Sequence, residues 1–198
     1  MRPGFGERTN EMNNSWKTLS SEYLVDSPWL RVRKDAVRLP NGYEMDDYYL
    51  MEMKDVALIV AMDEENNILL KEEYRYPIDE NLMELPGGTM NRGEDPLETA
   101  KRELLEETGY VADRWELLAC NYDNPTKNSA RVYLYLAKNI RLVSGQKLDI
   151  SEEITFGLVP YEEAVRMCKT GKIRVNGSVA GILLAGGQAD HVAGNTGK

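Results

Sequence analysis

Cysteine and histidine are nearly missing from this 198-residue chain, which has only Cys120, Cys168 and His191. Two thiols are too few for a disulfide scaffold or a structural zinc site. Their place in apolar-periodic segments reads as buried, reduced side chains. The lone histidine, in a Gly-rich tail, leaves no imidazole for a Ser-His triad, a Cys-His pair or a His-ligated metal. Long apolar runs are also missing. The longest, Val56–Met62, is far too short for a bilayer, which needs about 20 residues. Met1–Ser15 is polar and has no apolar signal core, so a cytoplasmic protein without membrane contact is expected. Basic residues are the last deficit: 24 Lys and Arg against 33 Asp and Glu give a net charge of −9. That balance argues against nucleic acid as a partner. It would also repel a phosphorylated substrate unless something local reverses the field.

What is present is an ordinary folded composition, 42% hydrophobic and 29% charged. Residues 1–15 read as a flexible arm and residues 186–198 as a flexible tail. Strand patterns fall at Trp29–Leu39, Tyr48–Met53, Asp55–Met62, Ile68–Tyr76, Trp115–Asn121, Arg131–Ala137 and Ile154–Val159. The turn Pro40-Asn41-Gly42 makes the first two a hairpin. Two helices follow at the C-terminal side, Tyr161–Thr170 stopped by Gly171, and Ser178–Ala185 stopped by Gly186. The irregular interleaving predicts an α+β domain with a mixed sheet flanked by helices.

The informative stretch is Gly87–Tyr110. Asp95 is a natural N-cap, Pro96 suits the first helical position, Glu98 stands where a capping-box acid belongs, and Gly109 is a helix stop. The spacing predicts a helix over Pro96–Thr108, with Leu97, Ala100, Leu104 and Thr108 turned to the sheet. Glu103, Glu106 and Glu107 then share one flank beside Arg102. Like charges at this spacing cost about 0.2–0.5 kcal/mol per pair, and glutamates near the C-terminal end oppose the helix dipole. A sequence shaped only for stability would carry lysine there. A hard divalent cation on the flank gives the arrangement a purpose, because Mg²⁺ prefers carboxylate and carbonyl oxygens.

In order and spacing, Gly88, Glu94, Arg102, Glu103, Leu104, Glu106, Glu107 and Gly109 resemble the Nudix box, G-x5-E-x7-R-E-U-x-E-E-x-G-U. Tyr110 departs from the aliphatic residue preferred at the last position, which is a packing position. The approach Glu73–Pro77 and Glu84–Gly88, and Pro125 fifteen residues past the box, are similar to the ADP-ribose pyrophosphatase subfamily. The likeness runs from about Trp16 to Ala185. It implies a Nudix fold over 55–185 with an antiparallel β extension over 16–54.

The resemblance implies a metal-dependent hydrolase of nucleoside diphosphate-linked compounds, with ADP-ribose split to AMP and ribose 5-phosphate as the leading substrate. Alternatives are GDP-mannose or another nucleotide sugar, and a nucleotide-sugar sensor without turnover. Glu103, Glu107, Glu106 and the Gly87 carbonyl would hold Mg²⁺, or Mn²⁺ in its place. Arg102 would orient Glu103 by a charge-assisted hydrogen bond. Glu152 or Glu153 stands where the subfamily has a water-activating loop glutamate, with a solvated loop pair as the alternative. Arg75 is a candidate for substrate phosphates and Glu84 for ribose hydroxyls. Trp29 is a candidate to stack on adenine, with core packing as its alternative. A homodimer through the N-terminal strands is also expected from the resemblance.

Overall fold

The hairpin encoded by Pro40-Asn41-Gly42 forms. In the computed structural model, which describes residues 15–186, it joins Arg31–Arg38 to Glu44–Glu52. Gly42 takes φ +86°, and its N–H donates to Leu39 O at 2.9 Å. Lys17–Asp26 (β1) pairs antiparallel with Arg31–Arg38 (β2), whose other edge takes Glu44–Glu52 (β3). The strand expected at Trp29–Leu39 is the shorter β2, and β1 is not among the expected strands. Ser27 Oγ accepts from the Trp29 and Leu30 N–H groups, so the chain is still turning at Trp29 and extends only from Arg31. These strands, with Thr126–Asn128, make one compact unit. Lys54–Pro125 and the chain from Ser129 onward make the other. Nearly all of the arm at 1–15 and the tail at 186–198, His191 included, lies outside the described residues.

The second unit is ordered by its strands. Val56–Met62 (β4) and Asn67–Arg75 (β5) meet only at Met62 and Ile68, then diverge. Glu80–Glu84 (β6) lines β5, and Gly87–Thr89 (β7) lines β4, so the chain crosses from one to the other at Leu85–Pro86. The expected loop at Gly87 therefore begins as a short strand. Its partners are distant in sequence, so local composition does not reveal it. Helix α1 (Pro96–Thr108) follows, then Tyr110–Tyr122 (β8) and Arg131–Leu142 (β9). Next come Ile154–Pro160 (β10) and the helices Tyr161–Lys169 (α2) and Asn176–Gly186 (α3). The sheet order is β10-β5-β4-β9-β8, with β4 and β9 parallel and the other pairings antiparallel.

Period-two alternation distributes the core over both faces. Ala57, Ile59, Ala61 and Leu69 pack with Ala100 and Leu104 of α1. Val60, Ile68, Leu70 and Leu136 pack with Ala164, Met167 and Ile182 of α2 and α3. The mixed sheet thus lies between helices, as the sequence pattern predicted. Cys120 is exposed rather than buried, because it lies near the end of edge strand β8, and Cys168 is half-buried; both are free thiols.

Candidate active site

Local rules position α1. Asp95 accepts from Leu97 N–H at 2.9 Å, Pro96 opens the helix, and Gly109 closes it at φ +75° with its N–H on Leu105 O. Glu98 does not complete a capping box; it bonds Lys101 Nζ at 2.8 Å instead. With the apolar stripe buried, Glu103, Glu106 and Glu107 come to one flank.

Glu107 is the most enclosed of the three, at 4% exposure. One of its oxygens accepts from Gly87 N–H at 2.8 Å, and the other takes the Lys71 ammonium. Burial pushes the Glu107 carboxyl up to about 7 against the pull of Lys71. Gly87 carries φ +145°, and a Cβ there would lie 2.1 Å from Ala57 O, so only glycine lets β7 approach β4 this closely. At Gly88 a Cβ would stand 2.6 Å from the Glu103 carboxylate, so glycine keeps the space before that group open. Burial raises the Glu103 carboxyl as well.

Arg102 is the hub of the flank. Its guanidinium bonds Glu94 at 2.8 and 3.0 Å, Glu103 at 2.7 Å, Glu106 at 3.0 Å and Thr89 O at 3.3 Å. The hydrogen bond from Arg102 holds the Glu94 carboxyl down to about 2. Glu94 also accepts from Asn91 N–H at 2.8 Å, which ties the turn before α1 to the helix.

On β5, Lys71, Glu73 and Arg75 stand at alternate positions and so share a face. Lys71 Nζ lies 3.0 Å from Glu73, and Arg75 bonds Glu73 at 2.8 Å and Glu84 through Nε at 2.9 Å. A chain of opposite charges therefore runs Glu84–Arg75–Glu73–Lys71–Glu107. The structure brings Arg75 and Glu84 together as partners of each other, and it connects both to the box. Lys71 was missed by sequence reasoning. Its only signal was the Lys-x-Glu-x-Arg alternation along a strand whose next inward residue is Leu69.

Gln146 donates to Glu107 O at 2.8 Å and to Ile154 O at 3.1 Å, fastening the loop before β10 to the end of α1. In that loop Glu152 accepts from Asp149 N–H at 3.0 Å, and Glu153 is exposed. Trp29 belongs to the N-terminal unit and is 94% exposed, so its packing alternative fails and its ring is free.

The flank offers only oxygen donors, which suits a hard divalent cation and the open space at Gly88. As they stand, among the described residues no three acidic, histidine or cysteine side chains converge on a metal position. The bonds to Arg102 and Lys71 take up one oxygen of each carboxylate.

Known proteins resemble this chain over most of its length. Residues 52–176 match the model of the NUDIX domain, and residues 16–51 match that of the nucleoside diphosphate sugar hydrolase N-terminal domain. The chain is 35% identical over 172 residues to an ADP-ribose pyrophosphatase of Mycobacterium tuberculosis, covering 86% of this chain and 83% of that protein. It is 30% identical over 158 residues to a methanol dehydrogenase activator of Bacillus methanolicus, covering 79% and 85%. A crystal structure described as an ADP compounds hydrolase superposes with a TM-score of 0.80 at 20% identity, over 91% of this chain and 97% of that one.

Proposed function

The chain belongs to the NUDIX family, and from that premise we propose that it is a divalent-metal-dependent hydrolase that splits ADP-ribose into AMP and ribose 5-phosphate. The observation that carries the reading is the gathering of Glu103, Glu106 and Glu107 on one flank of α1, against the bare backbone of Gly87 and Gly88. Relatives in Mycobacterium tuberculosis and Bacillus subtilis that are named ADP-ribose pyrophosphatase support the substrate.

Glu103, Glu106, Glu107 and the Gly87 carbonyl are the groups that would hold Mg²⁺, or Mn²⁺ in its place. Bound there, the cation supplies charge neutralisation for the diphosphate and a lowered pKa for water. Gly87 N–H holds Glu107 in place, and Arg102 holds Glu103 and Glu106. Glu152 or Glu153, both exposed in the loop before β10, would accept the water's proton; one oxygen of Glu152 already accepts from Asp149 N–H. Arg75 spends three of its five N–H donors on Glu73 and Glu84, leaving two for phosphate oxygens. Glu84 would meet ribose hydroxyls from its place beside Arg75. Trp29 presents a free indole for a nucleobase.

The test is phosphorus NMR of ADP-ribose with the purified protein, first with Mg²⁺ and then with excess chelator. AMP and ribose 5-phosphate that appear only with metal are the expected products. No turnover by folded protein with Mg²⁺ or Mn²⁺ would overturn ADP-ribose as substrate.

The match at 16–51 favours a second reading, hydrolysis of a nucleoside diphosphate sugar such as GDP-mannose. A mannose 1-phosphate product at a higher kcat/KM than ADP-ribose gives would select it. A homodimer belongs to the same proposal, since β1 leaves Leu19, Tyr23, Leu24 and Val25 exposed. Sedimentation as a monomer at micromolar concentration would count against it. A cytoplasmic setting is also proposed; among the described residues no helix is long and apolar enough to cross a membrane.

A further inference from the structure

Lys71 is a charged residue at 3% exposure, placed in the middle of β5 with strands paired on both sides. β6 holds one edge through Lys71 and Glu84, and β10 holds the other through Lys71 and Phe156. The backbone at this position is held by a strand on each side, and the side chain is buried. It is committed to Glu107 and Glu73. Both oxygens of Glu107 are consequently occupied by the protein's own donors, Lys71 on one and Gly87 N–H on the other. Glu103 and Glu106 share Nη1 of Arg102.

The two resident cations differ. Arg102 is 28% exposed at its side chain and lies on a helix surface. Lys71 is 3% exposed at its side chain and enclosed. A divalent ion on the flank meets a buried positive charge as its neighbour, in surroundings where charge interactions are poorly screened.

We propose that Lys71 is a positioning residue that holds Glu107 in the metal-free protein and competes with the divalent cation for it. The ion is then held weakly until a diphosphate contributes oxygens and negative charge of its own. This rests on the metal-dependent reading above. It assigns Lys71 a sign of effect that a merely structural role does not have: removing its charge tightens the metal.

The experiment is Mn²⁺ titration of substrate-free protein, reading free Mn²⁺ by electron paramagnetic resonance, for wild type, Lys71→Met, Lys71→Gln and Lys71→Arg. Thermal melts of the metal-free proteins run in parallel. Lys71→Met is expected to bind Mn²⁺ about tenfold more tightly or better, equivalent to about 1.4 kcal/mol. Its metal-free melting point should fall, and it should regain more than wild type does when Mn²⁺ is added. Lys71→Arg should keep wild-type affinity. If Lys71→Met does not fold without metal, Lys71→Gln, which still donates to Glu107, carries the same expectation. Affinity equal to or weaker than wild type in a folded uncharged variant overturns the inference while leaving the metal reading intact. Mn²⁺ uptake by Lys71→Met alone supports competition in its strongest form. Uptake by neither protein at millimolar Mn²⁺ overturns the metal reading and this inference with it.

Discussion

Strands β2 and β5 both carry charged side chains at alternate positions on one face, and these meet different fates. In β2, Arg31 pairs with Asp26 and Glu52, and Arg33 with Asp35 and Glu52. Arg31 and Asp26 are open to water, at 43% and 61% exposure. In β5 the series Arg75, Glu73, Lys71 runs from a partly exposed end into the interior, where it meets Glu107. The period-two pattern is the same, and burial separates the Arg31 end of β2 from β5. In β2 the Arg31–Asp26 pair is exchangeable for water, while Asp35 is buried against Arg33. In β5 each charge is the condition for burying the next, since removing one partner of a buried pair strands the other at a cost of several kcal/mol.

The comparison breaks most sharply at Glu107. Glu107→Gln keeps an oxygen for Gly87 N–H but removes the negative charge. Turnover of ADP-ribose should fall on the order of 10³-fold, with an unchanged circular dichroism spectrum. Full activity in that variant would sink the assignment. Gly87→Ala tests the backbone that supports the same carboxylate. Its Cβ would stand 2.1 Å from Ala57 O at φ +145°, and a loss of about 3 kcal/mol is expected in denaturant unfolding. A loss under about 1 kcal/mol would show that β7 can move away from β4 freely. Arg102→Lys keeps the charge and removes the fork. A decrease of about 10–100-fold in kcat/KM is expected, with little loss of stability.

These residues were not equally legible in the sequence. Helix α1 could be read residue by residue because its signals are local: a capping Asp95, Pro96 behind it and Gly109 at the end. The box carboxylates were legible through motif spacing. β1 was not, because all ten of its residues are exposed and it shows no apolar alternation. β7 was hidden because a three-residue strand is defined by its partner, here thirty residues upstream. Lys71 was hidden for the same reason. It is one charge among many until the fold sets it against Glu107, 36 positions away. Cys120 misled because its apolar neighbours belong to an edge strand. Local chemistry was readable, and chemistry made by distant pairing was not.

Acid offers a smaller effect with a definite sign. Arg102 holds the Glu94 carboxyl at about 2, below its ordinary 4.5. A carboxyl depressed in the folded state stabilises fully above its unfolded value and loses that contribution as pH falls through the folded value. Stability should therefore decline between about pH 4.5 and 2, and Glu94→Gln should flatten that part of the profile. Parallel profiles for the two proteins would show that the Arg102 contact is not retained in solution.

The smallest effect belongs to β2, and it is the control on which the comparison depends. Arg31 is bonded to Asp26 at 2.8 Å and to Glu52 at 2.9 Å, and it stacks over Tyr23 with 4.4 Å to the ring centroid. Counted as contacts, it is as well connected as Lys71. Its partners, however, are solvated, and Glu52 retains Arg33 at 2.7 Å when Arg31 is removed. Water takes the vacated positions, and salt screens whatever attraction remains. Arg31→Ala should therefore shift the melting point by about 1–2 °C at most, and the shift should shrink further in molar salt. Lys71→Met in metal-free protein should give a several-fold larger shift that salt does not remove, because its partners stay buried. Equal shifts would mean that burial, and not connectivity, had been given too much weight in separating the two strands.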